Sequence, residues 1–211
     1  MDWSFRQNWD EFSWAKEIRK DELRIAGYFR ALPGCLDLPG EDEIIFKSLM
    51  AQPELVPTGV KDPHAMKREF ERDMEDTDWE EERKEARRSN AFESAKRVEK
   101  LASEWILLAA SGVSEQAAAE VLKVVCAFGK LLARLYNFEE TEVAEDTLAL
   151  RISLLKRSLG DINDLLQAIG EFKKLDLLPA GRLDEFFNPL SFVREAVLDR
   201  MNILRNGKNN E

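Results

Sequence analysis

Acidic residues spaced three positions apart are the side chains whose types and spacing could do catalytic chemistry. Such pairs occur at Glu82-x-x-Glu85, Glu142-x-x-Glu145 and Asp161-x-x-Asp164. Each pair places two carboxylates on one face of a helix, as in the Mg²⁺ sites of all-α nucleotide pyrophosphohydrolases. The stretch from Glu145 to Asp161 spans roughly 24 Å of helix, so these two pairs do not converge within one chain. A metal-dependent nucleotide hydrolase is therefore an alternative and not the leading hypothesis.

The single histidine and the two cysteines leave little room for other catalytic chemistry. His64 is expected at the exposed start of a helix, and the sequence contains no Glu-x-x-His metal motif. Cys35 in a loop and Cys126 inside an apolar helix are expected to be free thiols of a reducing compartment, with a Cys35–Cys126 disulfide left open. The chain also lacks a Gly-rich phosphate loop. We therefore assign no catalytic, cofactor-binding or metal-binding residue and predict no cofactor.

Two polar residues occupy an otherwise apolar helical seam. Arg151 and Ser158 belong to a run of positions between Ala144 and Phe172 that alternates spacings of four and three residues. The stem of Arg151 could lie along apolar surface, with its guanidinium in solvent or beside a buried carboxylate. The other interpretation is a polar core layer of Arg151 and Ser158 that sets the register of a bundle or receives an acidic residue of a partner.

Large aromatic side chains crowd the N-terminus of the chain. If the first helix is extended back at 100° per residue, Trp3 and Trp14 fall on one face, and Phe5, Trp9 and Phe12 fall on the opposite face. A single domain could bury both faces. Alternatively one set stays exposed, and exposed aromatic patches often anchor partners. We therefore predict Trp3, Phe5, Trp9 and Phe12 as partner-binding residues.

The charge balance excludes some partners and disfavours others. The 211 residues are 44% hydrophobic and 34% charged, with a net charge of −10, so the global field repels nucleic acid. Residues 71–85 carry nine acidic and three basic side chains and are the one stretch that could mimic a nucleic acid. No apolar stretch is long enough for a membrane span and no signal peptide is apparent, so a bacterial-type cytoplasmic protein is expected.

Hydrophobic periodicity predicts an all-α fold. We expect an N-terminal helical subdomain at 1–60, a highly charged helical connector at 61–90, a helical bundle with heptad-patterned helices at 91–206, and a disordered tail at 207–211. Helices are predicted from Trp9 to Leu32, from Glu41 to Met50, from Ala91 to Leu108, after an N-cap at Ser114, from Thr141 or Glu142 to about Lys174, and from Asn188-Pro189 to Gly207. Gly160 could kink or split the helix that contains it.

The leading hypothesis is a non-enzymatic protein–protein interaction module, an adaptor or regulatory subunit of a larger complex. It would act through helical surfaces and the N-terminal aromatic patch, and its partner would be another protein or a second copy of this chain. Direct binding to nucleic acid or to a membrane is not expected. The alternatives are the metal-dependent hydrolase with paired carboxylates and a nucleic-acid-associated subunit or acidic nucleic-acid mimic.

Overall fold

The computed structural model describes residues 9–36, 38–75, 93–112, 117–141, 143–174 and 180–207. Seven helices and no strand occur in these ranges, which confirms the all-α fold. The chain divides into two compact units, Met1–Glu82 and Arg83–Glu211. Within the described ranges, no helix combines the length and the apolar character needed to cross a bilayer.

The first unit contains helices α1 (Glu11–Cys35), α2 (Glu41–Met50) and α3 (Pro63–Glu75). Local capping explains where α1 and α3 begin. Asp10 accepts a hydrogen bond from the Ser13 amide at 2.8 Å, and Asp62 accepts from the amides of His64 and Ala65 with Pro63 in the first helical position. The α2 bounds match the prediction, whereas α1 continues past Pro33, because a proline in the last turn leaves only one helical hydrogen bond unmade.

The core of the first unit is small and lies between α1, α2 and the loop that follows α2. Ile45, Leu49 and Leu55 are buried, and partly buried residues pack around them: Tyr28, Ala31, Leu32, Cys35 and Met50. The close approach of α1 to α2 requires a small residue at Gly27, where a Cβ atom would lie 2.7 Å from the Leu49 Cδ2 atom. All of these α1 residues lie in its C-terminal half.

The second unit contains helices α4 (Glu93–Gly112), α5 (Ala118–Glu140), α6 (Leu148–Lys174) and α7 (Ala180–Gly207). Each helix packs on the next, and α7 packs back on α4, which closes a four-helix bundle. Helices α5 and α6 run antiparallel, since Arg134 contacts Asp161 whereas Phe138, one turn later on α5, contacts Arg151, nearly three turns earlier on α6.

Apolar residues from all four helices fill the bundle core. Trp105 is almost fully buried, and its ring packs edge-on against Phe172 at 5.2 Å and Phe186 at 5.3 Å between centroids. The other buried residues include Val98, Leu101, Val124, Phe128, Leu131, Leu135, Leu155, Ile162, Leu165, Ile169, Leu183, Leu190, Val193 and Val197. The seam positions of α4, α5 and α6 that periodicity assigned to the interior are therefore mostly buried.

Two helix starts predicted for the second unit are wrong. Helix α6 begins at Leu148 and not at Thr141 or Glu142, and it runs through Gly160 without a break. Helix α7 begins eight residues before Asn188-Pro189, because the buried Leu183 anchors its first turns and offsets the loss of the hydrogen bond that Pro189 removes. Cys126 is a free thiol, as predicted, and is exposed on α5. The Ser114 cap lies outside the described residues.

One buried carboxylate crosses the interface between α5 and α6. Asp161 is 4% exposed; it accepts a hydrogen bond from the Arg134 Nε atom and forms an ion pair with the Lys130 Nζ atom at 3.0 Å. Its proposed metal-binding companion, Asp164, is exposed. The two carboxylates thus lie in different environments, and Asp161 is already neutralised by cations.

We expect Asp161→Asn to destabilise the bundle by about 3–5 kcal/mol, because the substitution removes a buried negative charge that both Arg134 and Lys130 contact. The matched control Asp164→Asn, one turn along the same helix and exposed, should change stability by less than about 0.5 kcal/mol. Urea unfolding followed by circular dichroism measures both. Equal stability of the two variants would contradict a structural role for the Asp161 network.

Candidate interaction surface

The N-terminal half of α1 turns a polar side toward its own unit. Glu17 is 3% exposed and accepts a hydrogen bond from the Thr58 amide at 3.2 Å. Arg24 donates to the Leu55 carbonyl oxygen at 2.6 Å, and Lys20 donates to the Val56 carbonyl oxygen at 3.0 Å. These three side chains therefore fasten α1 to the backbone of the loop between α2 and α3.

The Glu17 carboxylate is the centre of this network. It pairs with Arg24 at 3.3 Å and with Lys20 at 3.6 Å. Burial raises the pKa of the Glu17 carboxyl, but the hydrogen bonds from Thr58, the charge of Lys20 and the hydrogen bond from Arg24 outweigh it, so its pKa lies below the ordinary value. The carboxylate is consequently held in its charged form inside the unit.

The opposite side of α1 exposes apolar and basic residues together. Leu23, Ile25 and Phe29 are 57%, 59% and 65% exposed. Basic side chains lie exposed on the same side at Lys16, Arg19 and Arg30. We call these six residues the α1 outer face. Two members, Ile25 and Phe29, continue an apolar stripe that recurs at helical spacing along α1, and the other residues of this stripe, Trp14, Ile18 and Leu32, are half-buried.

The N-terminal aromatic residues divide into different roles. Trp3 and Phe5 lie outside the described residues. Trp9 precedes the N-cap Asp10, and its ring packs against Trp14 at 5.0 Å between centroids, the contact that fixes the entry of the chain into a helix. The helix therefore does not extend back to Trp9, so the helical period does not place Trp9 on one face with Phe12. Phe12, in the first turn, is 68% exposed.

Arg151 and Ser158 are both buried in the bundle, each with a hydrogen bond to a backbone carbonyl. Arg151 donates to the Thr141 carbonyl oxygen at 2.6 Å, at the C-terminal end of α5, and its guanidinium lies 4.5 Å from the centroid of the Phe138 ring. Burial and the nearby charge of Arg200 lower the pKa of Arg151. Ser158 donates to the Leu154 carbonyl oxygen of its own helix at 2.9 Å. The sequence could not show that these partners are carbonyls.

The described residues of the hydrolase alternative, Glu145, Asp161 and Asp164, do not form a group that could hold a metal ion. Glu145 lies exposed in the turn before α6, and Glu82, Glu85 and Glu142 lie outside the described residues. His64 lies in the first turn of α3, with its Nδ1 atom 3.4 Å from a Glu43 carboxylate oxygen. In the part of the chain that the structure describes, no three His, Cys, Asp or Glu side chains are grouped so that they could hold a metal ion.

A shallow groove lies between α4 and α7 in the described part of the bundle. Its volume is about 580 Å³, and its lining includes Lys96, Lys100, Leu101, Pro189 and the 69% exposed ring of Phe192. Cations and carboxylates alternate along its rim, for example as the Arg97–Glu93 ion pair at 3.1 Å. Sequence reasoning missed this groove because it assigned Pro189 to a helix start instead of a helix interior.

We expect Glu17→Gln to lower the stability of the first unit at pH 7 by about 1–3 kcal/mol, since two cations would lose their buried partner. Because the folded pKa of Glu17 is lowered, its contribution is present above the unfolded pKa of about 4.3 and is lost as the pH falls further. The variant should therefore lose less stability than the natural chain between about pH 5 and pH 3.

Urea unfolding followed through the NMR methyl signals of Ile45 reports on the first unit alone. Glu54→Gln, an exposed carboxylate of the same loop, is the matched control and should leave both the stability and its pH dependence unchanged. An unaltered acid dependence in Glu17→Gln would contradict the assignment of the network to Glu17.

Arg151→Leu should leave the bundle folded, with a melting temperature within about 5 °C of the natural chain. The variant loses the hydrogen bond to Thr141, but it also removes the cost of burying a charge, and leucine fills much of the same space. Arg151→Ala should be less stable because it leaves a cavity. Thermal unfolding followed at 222 nm measures both, and a fall of more than about 10 °C for Arg151→Leu would show that the charge is required.

Comparison with known proteins gives no assignment. No protein-family model, no curated protein and no solved structure matches this chain. The function must therefore be argued from the surfaces of the two units.

Proposed function

We propose that this protein is a non-enzymatic interaction module that docks another protein on the α1 outer face. The observation that carries the proposal is the inverted helix α1, which buries Glu17 and half-buries Arg24 while it exposes Ile25 and Phe29. A helix in a soluble unit ordinarily buries its apolar side and exposes its charges. The inversion leaves apolar surface available on an element that is held rigidly from behind.

The exposed side chains are large enough to anchor a partner. Burying an Ile or a Phe side chain contributes about 1.5–3 kcal/mol of transfer free energy, and a few such anchors dominate most interfaces. Isolated exposed apolar residues are common in soluble proteins and carry no argument. Here Ile25 and Phe29 lie one turn apart and about 40° apart around the helix, close enough for a single partner element to contact both.

The proposal changes which N-terminal residues are expected to bind. Trp9 packs against Trp14 and so supports the first turn of α1, and we therefore expect its main role to be stabilising the helix and not contacting a partner. Phe12 shares the exposed side of the helix and is compatible with the same interface. An adaptor or regulatory subunit in the cytoplasm fits this surface, and the unpaired thiols of Cys35 and Cys126 support a reducing compartment.

The proposal is tested by placing a photo-crosslinking phenylalanine analogue at position 29 of the full chain in its native cells. We expect one discrete adduct whose protein, once identified and purified, binds the natural chain and binds Ile25→Ser/Phe29→Ser at least about tenfold more weakly. The circular dichroism and the melting temperature of this double variant should be unchanged, because both residues are exposed.

The matched controls use exposed apolar residues of the bundle. A cross-linker at Ile203, which is 60% exposed, should not give the same adduct, and Leu122→Ser/Ile203→Ser should bind the purified partner as the natural chain does. An adduct common to positions 29 and 203, or binding that the α1 variant does not weaken, would refute docking on the α1 outer face.

A further inference from the structure

Helix α3 contacts α2 through a group of polar and aromatic side chains around Glu43. One oxygen of the Glu43 carboxylate accepts a hydrogen bond from the Lys67 Nζ atom at 2.9 Å, and the other lies 3.4 Å from the His64 Nδ1 atom. The His64 ring packs edge-on against the Phe46 ring at 5.2 Å between centroids. The Lys67 Nζ atom lies 5.3 Å from the centroid of the same ring. We call these four residues the Glu43 cluster.

The Glu43 cluster differs from the contacts that join α1, α2 and the following loop. Those elements share the buried apolar core of Ile45, Leu49 and Leu55. Among the α3 side chains that the structure describes, none is buried, and the Glu43 side chain is 59% exposed. Exposed ion pairs stabilise a fold weakly and are screened by salt, whereas buried apolar contacts are not. The described contacts of α3 are therefore weaker than those of α2, and they depend on charge.

The loop that precedes α3 is held by α1 as far as Thr58. The Thr58 amide donates to the Glu17 carboxylate, and the Thr58 hydroxyl accepts a hydrogen bond from Lys20 at 2.8 Å. The next residue, Gly59, has a φ of +82°, which glycine adopts without strain. Helix α3 then begins with a cap of its own, because the Asp62 side chain accepts hydrogen bonds from the amides of the first turn. Movement of α3 therefore does not require the anchored part of the loop to move.

We propose that α3 is a detachable helix: it opens from α2 while α1 and α2 stay folded, and the charge on Glu43 controls the population of the open form. A helix of 13 residues is marginal in water by itself, so the detached α3 would also lose helical hydrogen bonds. Opening is then a local unfolding event, which requires less free energy than unfolding of the whole unit. It removes the His64 and Lys67 side chains from the half-buried Phe46 ring. This inference is independent of docking on the α1 outer face.

Acid and salt both favour the open form. The charged groups around Glu43 are Lys67 and His64 on α3, Glu71 at 3.2 Å from the Lys67 Nζ atom, and Lys47 one turn later on α2. The hydrogen bond from Lys67 outweighs burial and holds the pKa of Glu43 below its ordinary value. The contribution of Glu43 is thus present above its unfolded pKa of about 4.3 and is lost as the pH falls through the folded pKa. At neutral pH, added salt weakens the same ion pairs by screening.

Hydrogen exchange of the backbone amides, measured by NMR on the full chain at neutral pH, tests the proposal. In the natural chain, the α3 amides should exchange at least about tenfold faster than those of Ile45 and Leu49. Glu43→Gln should speed exchange in α3 at least about threefold further and leave Ile45 and Leu49 unchanged. The matched control is Glu41→Gln, which removes a carboxylate from the same first turn of α2 and should alter α3 exchange less than about 1.5-fold. Raising the salt concentration should speed exchange in α3 alone.

The imidazole signal of His64 gives a second readout. His64 is the single histidine of the chain, so the untagged protein has one set of imidazole signals in its proton NMR spectrum. The ring current of Phe46 displaces this set in the closed form, and Phe46→Leu gives its position without the ring. Glu43→Gln should move the signals toward the position seen in Phe46→Leu, whereas Glu41→Gln should leave them in place.

Three results would overturn the proposal. If the α3 amides exchange as slowly as those of Ile45 and Leu49, α3 opens only when the whole unit unfolds. If Glu43→Gln speeds exchange at Ile45 and Leu49 as much as in α3, the substitution loosens the entire unit and α3 is not detachable by itself. If Glu43→Gln and Glu41→Gln have equal effects on α3 exchange and on the imidazole signals, the charge on Glu43 does not control opening.

Discussion

The buried carboxylate of Glu17 is the constraint on which the arrangement of the first unit depends. A charged group inside a protein is tolerated only when hydrogen bonds and opposite charges replace its water. The Thr58 amide, Lys20 and Arg24 supply that replacement, and each of the two cations in turn satisfies a carbonyl of the loop between α2 and α3. Because this network fixes the polar side of α1 inward, the apolar Ile25 and Phe29 are left on the outside.

The second unit places charge and apolar surface in the opposite way. Its helices bury continuous apolar seams around Trp105, and charge enters only where it is paired or stacked, as at Asp161 with Arg134 and at Arg151 with Phe138. Both interactions join α6 to α5, since Asp161 contacts Arg134 within α5 and Arg151 donates to the Thr141 carbonyl at the C-terminal end of α5. They therefore hold one register between the two helices. Apolar contacts alone discriminate less sharply between registers one turn apart.

The sequence predicted the parts of the fold that local patterns encode. The seams of α4, α5 and α6 repeat every three to four residues, and the acidic first turn of α2 marks its start, so these elements could be found without a structure. The α7 start at Ala180 could not, because the packing of Leu183 and Phe186 overrides the local preference of Asn188-Pro189.

Which side of α1 faces inward could not be predicted from the sequence for a different reason. The orientation depends on the contact between Glu17 and Thr58, which are 41 positions apart, and hydrophobic periodicity does not detect contacts between distant residues. The apolar stripe through Ile25 and Phe29 was visible, but a stripe alone does not tell which surface will cover it. The candidate surface therefore follows from the structure, and only its residue types follow from the sequence. Of the N-terminal aromatic residues predicted to bind a partner, Phe12 is exposed on the described part of this helix.

Helix lengths show that α2 alone cannot cover α1. At 1.5 Å per residue, the 25 residues of α1 extend about 37 Å, whereas the 10 residues of α2 extend about 15 Å. Among the described residues of this unit, Ile45, Leu49 and Leu55 form a small buried apolar core, and small cores give marginal stability. A partner that binds α1 only in its folded form stabilises the unit by mass action. The gain in the free energy of unfolding grows with the logarithm of the partner concentration divided by its dissociation constant. Docking on the α1 outer face and folding of the first unit are thereby linked, so a partner would act on the stability of α1 as well as on its surface.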